Sequence, residues 1–308
     1  MGCFHIKDNT VLKNYIFYLF HTENYKNYIN NILAGSSINN LKPVDIELFE
    51  LNIPTLSEQS AIVSVLSDID ELIENLDKLI EKKRLIKQGA MQELLTGKRR
   101  LPGFSGNWKE KYLGAIGEIS GSGVDKKINL CEEPVRLLNY LDVYKKDFIF
   151  PKDLNYWTTA PEAKLNHCSI EKGDIFFTPS SELQTDIANS AVVMEDIHKA
   201  VYSYHIIRLR IHENWDLKFR AYIFKTKKFY DQADRNAEGS GKRYVISLSK
   251  FRAFRILYPI DIVEQSAIAS ILSDIDMEIE MLELKKDKYK QIKQGAMQVL
   301  LTGKIRLV

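Results

Sequence analysis

The sequence predicts an α/β (α+β) chain in which one globular domain of mixed strands and helices is joined to two long antiparallel coiled-coil helices. Three observations carry that expectation. A segment occurs twice, Glu58–Leu101 and Glu264–Leu307, and the copies agree without a gap at 29 of 44 positions, which shared helical composition would not produce. Within each copy apolar residues recur every three and four positions, the seam of a coiled coil. Between the copies the pattern changes to short runs rich in branched and aromatic residues, as strands have.

Residues 1–57 form an N-terminal segment. YIFYLFHTENY, from Tyr15, followed by AGSSINNLKPVDIELFELNIP, echoes YIFKTKKFYDQ, from Tyr222, followed by EGSGKRYVISLSKFRAFRILYP. In both an aromatic-rich helix precedes Gly-Ser, a polar turn, an apolar strand and a proline. The expectation is that the segment is the C-terminal remnant of a second globular domain, lacking about its first hundred residues.

Residues 58–101 are the first long helix, with Ile62, Leu66, Ile69, Ile73, Leu76 and Ile80 as its seam. Residues 258–308 carry the second, with Ile268, Leu272, Ile275, Ile279 and Leu282 in the same phase. There Lys286 stands where Ile80 stands in the first copy, and the seam resumes at Tyr289 and Ile292. These eleven seam residues are the expected helix-pair and partner interface. Every charge from Glu58 to Asp77 is acidic, and Lys and Arg dominate from Lys78 onward; Glu264–Glu283 and the residues from Lys285 repeat that polarity. Acid early and base late complements each helix dipole. Laid antiparallel, each acidic half also faces a basic half, whereas a parallel pair would oppose like charges. Pro54 and Pro259 precede the helices, and Thr96-Gly97 and Thr302-Gly303 end them, glycine being the residue that terminates a helix most readily.

Residues 102–257 follow as the globular domain, entered through the turn-rich linker LPGFSGNW, Leu101–Trp108. Strands are expected at Val135–Val143, Asp174–Thr178, Asn189–Met194, His205–Ile211 and Phe254–Tyr258. A helix is expected over Asp216–Tyr230 with Leu217, Ala221, Phe224 and Tyr230 on its apolar face, then a polar loop from Asp231 around Gly239–Gly241.

The net charge of +2 hides a local excess: from Ala200 to Ile256 there are 13 Lys and Arg against five Asp and Glu. Arg and Lys hold phosphates or read guanine, Gln and Asn read adenine, and hydroxyls do either, so mixed polar loops suit base readout. The candidate DNA-binding residues are Thr178, Ser180, Ser181 and Gln184 in one loop, Arg235, Asn236, Ser240, Lys242, Arg243 and Tyr244 in another, and Lys126 and Lys127 in a third. Catalytic patterns fail. Asp153 with Glu162-Ala163-Lys164 matches the carboxylate, carboxylate-x-lysine order of metal-dependent nucleases, but nothing places those residues on adjacent strands. The glycines at 114, 117, 121 and 123 lack the strand-and-helix context of a cofactor loop. No Asn-Pro-Pro-aromatic tetrapeptide occurs, and His167 beside Cys168 suits neither a catalytic pair nor a metal site. Three cysteines, not spaced for metal, make a zinc site or disulfide framework unexpected. No metal, cofactor or enzymatic activity is expected. No apolar run approaches a membrane span and the N-terminus lacks the core of a signal peptide, so a cytoplasmic protein is expected.

A helix that opens EQSAI, with SDID soon after, and ends IKQGAMQELLTGK before LPGF and Trp108 resembles the conserved regions of type I restriction-modification specificity (S) subunits. The resemblance implies a non-catalytic DNA-binding subunit in which target recognition domains, each reading half of a bipartite site, are held apart by the antiparallel helices. Residues 102–257 would be a complete recognition domain and residues 1–57 part of a first, truncated one. It also implies double-stranded DNA, two modification (methyltransferase) subunits and restriction subunits as partners, with S-adenosylmethionine bound by the methyltransferase and not here. Self-association to complete a bipartite reader is a further expectation. The competing reading is a scaffold or decoy that binds methyltransferase without productive DNA recognition.

Overall fold

The computed structural model of the chain describes residues 5–34, 41–241 and 243–307. It divides into two compact units, residues 1–84 with 278–308, and residues 85–277. In the first, three short helices, α1 (Lys13–Leu19), α2 (Glu23–Leu33) and α3 (Pro43–Glu47), precede the long α4 (Leu56–Leu94). The Thr22 hydroxyl caps α2 by accepting from Tyr25 N at 3.3 Å, satisfying one of the N–H groups that a helix start leaves free.

The chain then forms β1 (Trp108–Tyr112), α5 (Leu113–Ile116), β2 (Gly117–Ser120), β3 (Pro134–Leu138), α6 (Tyr140–Tyr144), β4 (Phe148–Ile149), β5 (Trp157–Thr159) and α7 (Glu162–His167). Next come β6 (Ile175–Phe177), β7 (Ser180–Ser181), β8 (Ser190–Val193), β9 (Ala200–Tyr202), β10 (Ile207–Ile211), α8 (Phe219–Ile223) and α9 (Lys227–Asn236). The last elements are β11 (Glu238–Ser240), β12 (Arg243–Val245), α10 (Leu248–Arg252), β13 (Arg255–Pro259) and the second long helix, α11 (Ile262–Leu300).

The second unit is organised around a five-stranded sheet in the order β2-β10-β6-β8-β4. Strand side chains alternate between faces, and here both faces are covered. Ile175, Phe177, Val192 and Leu209 point into one core with the α8 and α9 aromatics. Phe176, Ala191 and Val193 point into the other, with Leu137, Val201 and Tyr202. That double burial explains why these strands read as continuous apolar runs. All five expected strands have a strand core, but the first is cut short: Pro134–Leu138 pairs in a sheet and Asn139 then starts α6, with Asp142 Oδ2 accepting from Asn139 N at 2.9 Å. The strand β1, Trp-Lys-Glu-Lys-Tyr, was hidden by its charges; it is half-exposed and pairs antiparallel with β13.

The expected helix over Asp216–Tyr230 is two helices. The chain breaks at Lys225, and the Thr226 hydroxyl restarts it as α9 by accepting from Phe229 N at 3.3 Å. The new helix buries Phe229 and Ala233 and runs to Asn236. The expected loop from Asp231 therefore begins as helix and continues as the hairpin β11–β12, with Gly239 at φ +145° where any Cβ would strike the Arg243 carbonyl.

The helices α4 and α11 each run 39 residues, about 58 Å at 1.5 Å per residue, and they pack antiparallel. In the first unit Asp70 pairs with Lys293 at 2.6 Å, Asp77 with Lys286 at 2.9 Å, Arg84 with Glu283 at 2.5 Å, and Glu58 and Lys83 with Arg306 and Glu278. In the second, Lys87 pairs with Asp276 and Arg100 with Glu264, both at 2.5 Å. Exposed pairs contribute little energy; what these determine is direction and register. Lys286, which interrupts the seam, is the partner of Asp77. Ile62, Leu66, Leu76, Ile80, Ile268 and Leu272 are buried, while Ile69, Ile73, Ile275, Ile279 and Leu282 are half-buried. The seam does not resume at Ile292, which is 45% exposed; its neighbour Lys293 turns toward Asp70 instead.

The repeat extends to tertiary contacts. Glu58 binds Arg306 as Glu264 binds Arg100. Gln59 clamps Pro54 O and Leu12 N as Gln265 clamps Pro259 O and Asp216 N. Tyr18 donates to Asp70 and lies under Lys293, as Tyr222 donates to Asp276 and lies under Lys87. In these contacts the residue that matches Tyr222 is Tyr18, where the sequence alignment had Tyr15. Both long helices also end alike, with Gly97 at φ +69° and Gly303 at φ +70°, a left-handed conformation that glycine alone adopts without strain. No strand forms in residues 48–54, where the sequence suggested one, and Gly35-Ser36 lies outside the described residues.

Candidate nucleic-acid interface

The hairpin β11–β12 folds onto β7, giving a three-stranded sheet ordered β11-β12-β7, and this joins the two main candidate loops. Tyr244 pairs with Ser181 and Val245 with Ser180. Arg243, exposed, reaches back so that Nη2 donates to Ser180 Oγ at 3.3 Å. Opposite lies α6. Tyr140 donates to Ser180 O at 2.7 Å and Tyr144 to Asp186 Oδ2 at 2.6 Å. Their rings stack at 5.9 Å and 17°. With both hydroxyls engaged, the rings are fixed as an aromatic wall, and with Ser181, His205 and Arg243 they line an open cleft.

Lys126 is exposed. Its ammonium lies 5.3 Å from the Tyr156 ring centroid. Burial, then the positive charges of Arg243 and Lys126, hold His205 below the ordinary histidine range, with Asp125 opposing. A histidine with a lowered folded pKa supports the fold fully above its ordinary value of about 6.5, and that support is lost as pH falls from there through the folded value. Removing one of the two cations should reverse part of the shift. In Arg243→Ala the His205 pKa, followed by NMR, is expected to move up toward 6.5; an unmoved titration would mean that Arg243 does not face the imidazole.

Other candidates have different surroundings. Thr178 is fully buried, its hydroxyl accepting from Asn189 N at 3.1 Å, so it shapes the loop from below. Ser180 is buried too, holding Arg243 and Tyr140. Ser181 Oγ accepts from Leu183 N at 3.2 Å. Gln184 is half-buried and its amide donates to Asp234 O at 2.9 Å. Arg235 and Asn236 form the last turn of α9, where they bond Asp231 O and Gln232 O. Ser240 is exposed on the hairpin, Tyr244 is half-buried, and Lys126 and Lys127 are exposed, Lys127 being 3.4 Å from Asp125. Lys242 lies outside the described residues. Sequence reasoning missed Tyr140, Tyr144 and His205. The i, i+4 tyrosines were legible only to a reader who saw a helix where alternation suggested a strand.

Elsewhere the acid-base groups serve structure. Asp153 accepts from Lys146 at 2.5 Å and from Phe150 N at 2.8 Å, capping a 3-10 turn, while Glu162 and Lys164 sit in α7. Cys168 is buried against Ser122 O, and burial pushes its thiol up. Among the described residues no cluster of His, Cys, Asp and Glu could hold a metal ion, and no helix is long and apolar enough to cross a membrane.

Comparison with known proteins gives a consistent picture. Residues 1–82 and 105–294 match the family description "Type I restriction modification DNA specificity domain". The specificity subunit of the type I restriction enzyme MjaVIII of Methanocaldococcus jannaschii is 26% identical over 94% of this chain and 70% of its own length. That of StySPI from Salmonella potsdam is 26% identical over 68% of this chain and 47% of its own. Among solved structures, the S subunit of a type I restriction-modification system from M. genitalium superposes with a TM-score of 0.54 at 18% identity, covering 96% of this chain and 74% of that one. The HsdS subunit of Thermoanaerobacter tengcongensis gives 0.52 at 16%, covering 96% and 71%. At such identities the structural likeness concerns the fold.

Proposed function

The chain belongs to the type I restriction-modification DNA specificity family, a non-catalytic class, and from that premise we propose that it reads duplex DNA through the cleft around Arg243. In this reading it directs partner methyltransferase and restriction subunits to their target. The observation that carries it is convergence: Arg243, His205 and the Tyr140–Tyr144 wall come from three separate segments to one open surface. An arginine poised by one weak hydroxyl contact keeps most of its donors for guanine or phosphate. The fixed rings offer apolar contact to a thymine methyl. Residues 102–257 form the recognition domain, and residues 5–57 are the counterpart of the part of it that ends in β13. The helices α4 and α11 are the platform for two modification subunits, which bring the S-adenosylmethionine, and the whole acts in the cytoplasm.

Reconstitution with the methyltransferase of the same system, followed by mapping of methylated sites on genomic DNA, tests this. A defined methylated motif that changes or vanishes with Arg243→Ala is the expected result. Methyltransferase bound tightly with no motif-specific methylation would contradict it and favour the scaffold or decoy role.

A further inference from the structure

The cleft carries a second charged group that faces solvent. Glu182 lines it beside Arg243, is exposed, and among the described residues its carboxylate has no hydrogen-bond or ion-pair partner. The other carboxylate there is engaged: Asp186 accepts from the Tyr144 hydroxyl at 2.6 Å and from Asn189 Nδ2 at 3.1 Å.

Strand register makes the freedom of Glu182 informative. β12 and β7 pair Val245 with Ser180 and Tyr244 with Ser181. One place further along stand Arg243 and Glu182, where β7 gives way to a bend. Opposite charges at facing positions ordinarily attract and pair. Here Arg243 turns to Ser180 Oγ instead, which leaves a set of donors and a set of acceptors both open to the cleft. The backbone that presents Glu182 is fixed in advance. Ser181 Oγ accepts from Leu183 N at 3.2 Å, and Leu183 O accepts from Asp186 N at 3.1 Å. Gln184 donates to Asp234 O at 2.9 Å, and buried Ala188 closes the loop at φ +65°, a conformation that a residue with a Cβ holds only when its surroundings enforce it. A loop ordered before binding loses little entropy when a ligand arrives.

A free carboxylate repels phosphate, so against the DNA backbone it would cost affinity for every sequence. It gains only where a base edge offers an N–H donor. In the major groove those donors are the amino groups of cytosine and adenine. Adenine sets its N7 acceptor beside the amino group, where it repels the second carboxylate oxygen; cytosine has no such acceptor there. Guanine and thymine present acceptors at that edge, and the same carboxylate rejects them.

We propose that Glu182 is a specificity-determining residue whose carboxylate accepts from the N4 amino group of a cytosine in the major groove. The assignment rests on the reading of the cleft as the DNA-binding surface. Because Glu182 and Arg243 face each other, a guanine held by Arg243 and the cytosine held by Glu182 belong to one base pair or to adjacent ones.

The chain, assembled with the methyltransferase proposed as its partner, is offered a library of randomised duplexes, and the selected motif is compared among the parent, Glu182→Gln and Arg243→Ala. Gln keeps the size and removes the charge, and at an exposed position it should leave thermal melting unchanged. The expected result is a single position that passes from cytosine in the parent to adenine, which Gln reads, or to no preference in Glu182→Gln. Competition binding should put that change at about tenfold or more, with the other positions kept. A motif unchanged by Glu182→Gln but altered by Arg243→Ala would overturn the assignment and leave the cleft as the reader. So would a Glu182→Gln variant that binds all duplexes more tightly alike, the mark of a carboxylate facing phosphate, or a change only at positions where the parent selects another base. No motif in the parent, or one indifferent to both variants, would overturn the reading of the cleft and the assignment together.

Discussion

Leu272→Asp is expected to abolish the cooperative thermal transition of the second unit, and Leu66→Asp that of the first. Both leucines are fully buried, Leu272 within the core that holds Tyr222 and Phe219, and Leu66 among Tyr15, Met297 and Leu300. Losing a buried leucine costs about 2–5 kcal/mol, and an unpaired carboxylate in the same place adds several more. Against a typical total of about 5–15 kcal/mol, either change is close to the whole stability of a domain. Leu72, on the same helix but 45% exposed, provides the control: Leu72→Asp should melt like the parent chain. Circular dichroism melting of the three variants checks this. If the helices also carry the methyltransferase, co-purification collapses with Leu66→Asp and Leu272→Asp combined. A double variant that still holds its partner at parental affinity would show that docking lies elsewhere.

Arg243→Ala should have the largest effect on DNA. The guanidinium is exposed, and among the described residues its side-chain hydrogen bond is the 3.3 Å one to Ser180, so the fold has little to lose. A bidentate contact to guanine is worth about 1–3 kcal/mol of discrimination, and the variant should lose that much preference for its methylated motif over scrambled sequence. If Arg243 meets only phosphate, all sequences weaken alike and the salt slope falls by about one unit. Competition binding with matched and scrambled duplexes separates the two. Unchanged affinity and preference would remove the cleft from the recognition surface.

The helix pair was legible because its signals are local and repeated. Ile62, Leu66 and Leu76 report the seam by spacing alone, and the acidic and basic halves report direction by Coulomb's law. The middle of the second unit was legible where burial on both faces made runs such as Ile175–Phe177 apolar throughout. Edge strands were not: β1 is Trp-Lys-Glu-Lys-Tyr, and only pairing with β13 makes it a strand. The helix break at Thr226 was missed because the contacts that both the Phe224 and Phe229 rings make with Phe177 are tertiary. The cleft was half legible. The basic hairpin was visible as composition, but Tyr140, Tyr144 and His205 reach it from segments far apart in sequence, which no spacing rule can bring together.

The most direct measurement of the central claim is the affinity of the chain, assembled with the methyltransferase proposed as its partner, for duplex DNA at several salt concentrations, using the methylated motif and a scrambled control. A DNA-specificity subunit predicts a log K that falls linearly with log salt for both duplexes, with the motif bound at least about a thousandfold more tightly at physiological salt. Equal affinity for the two duplexes, or affinity indifferent to salt, would contradict it.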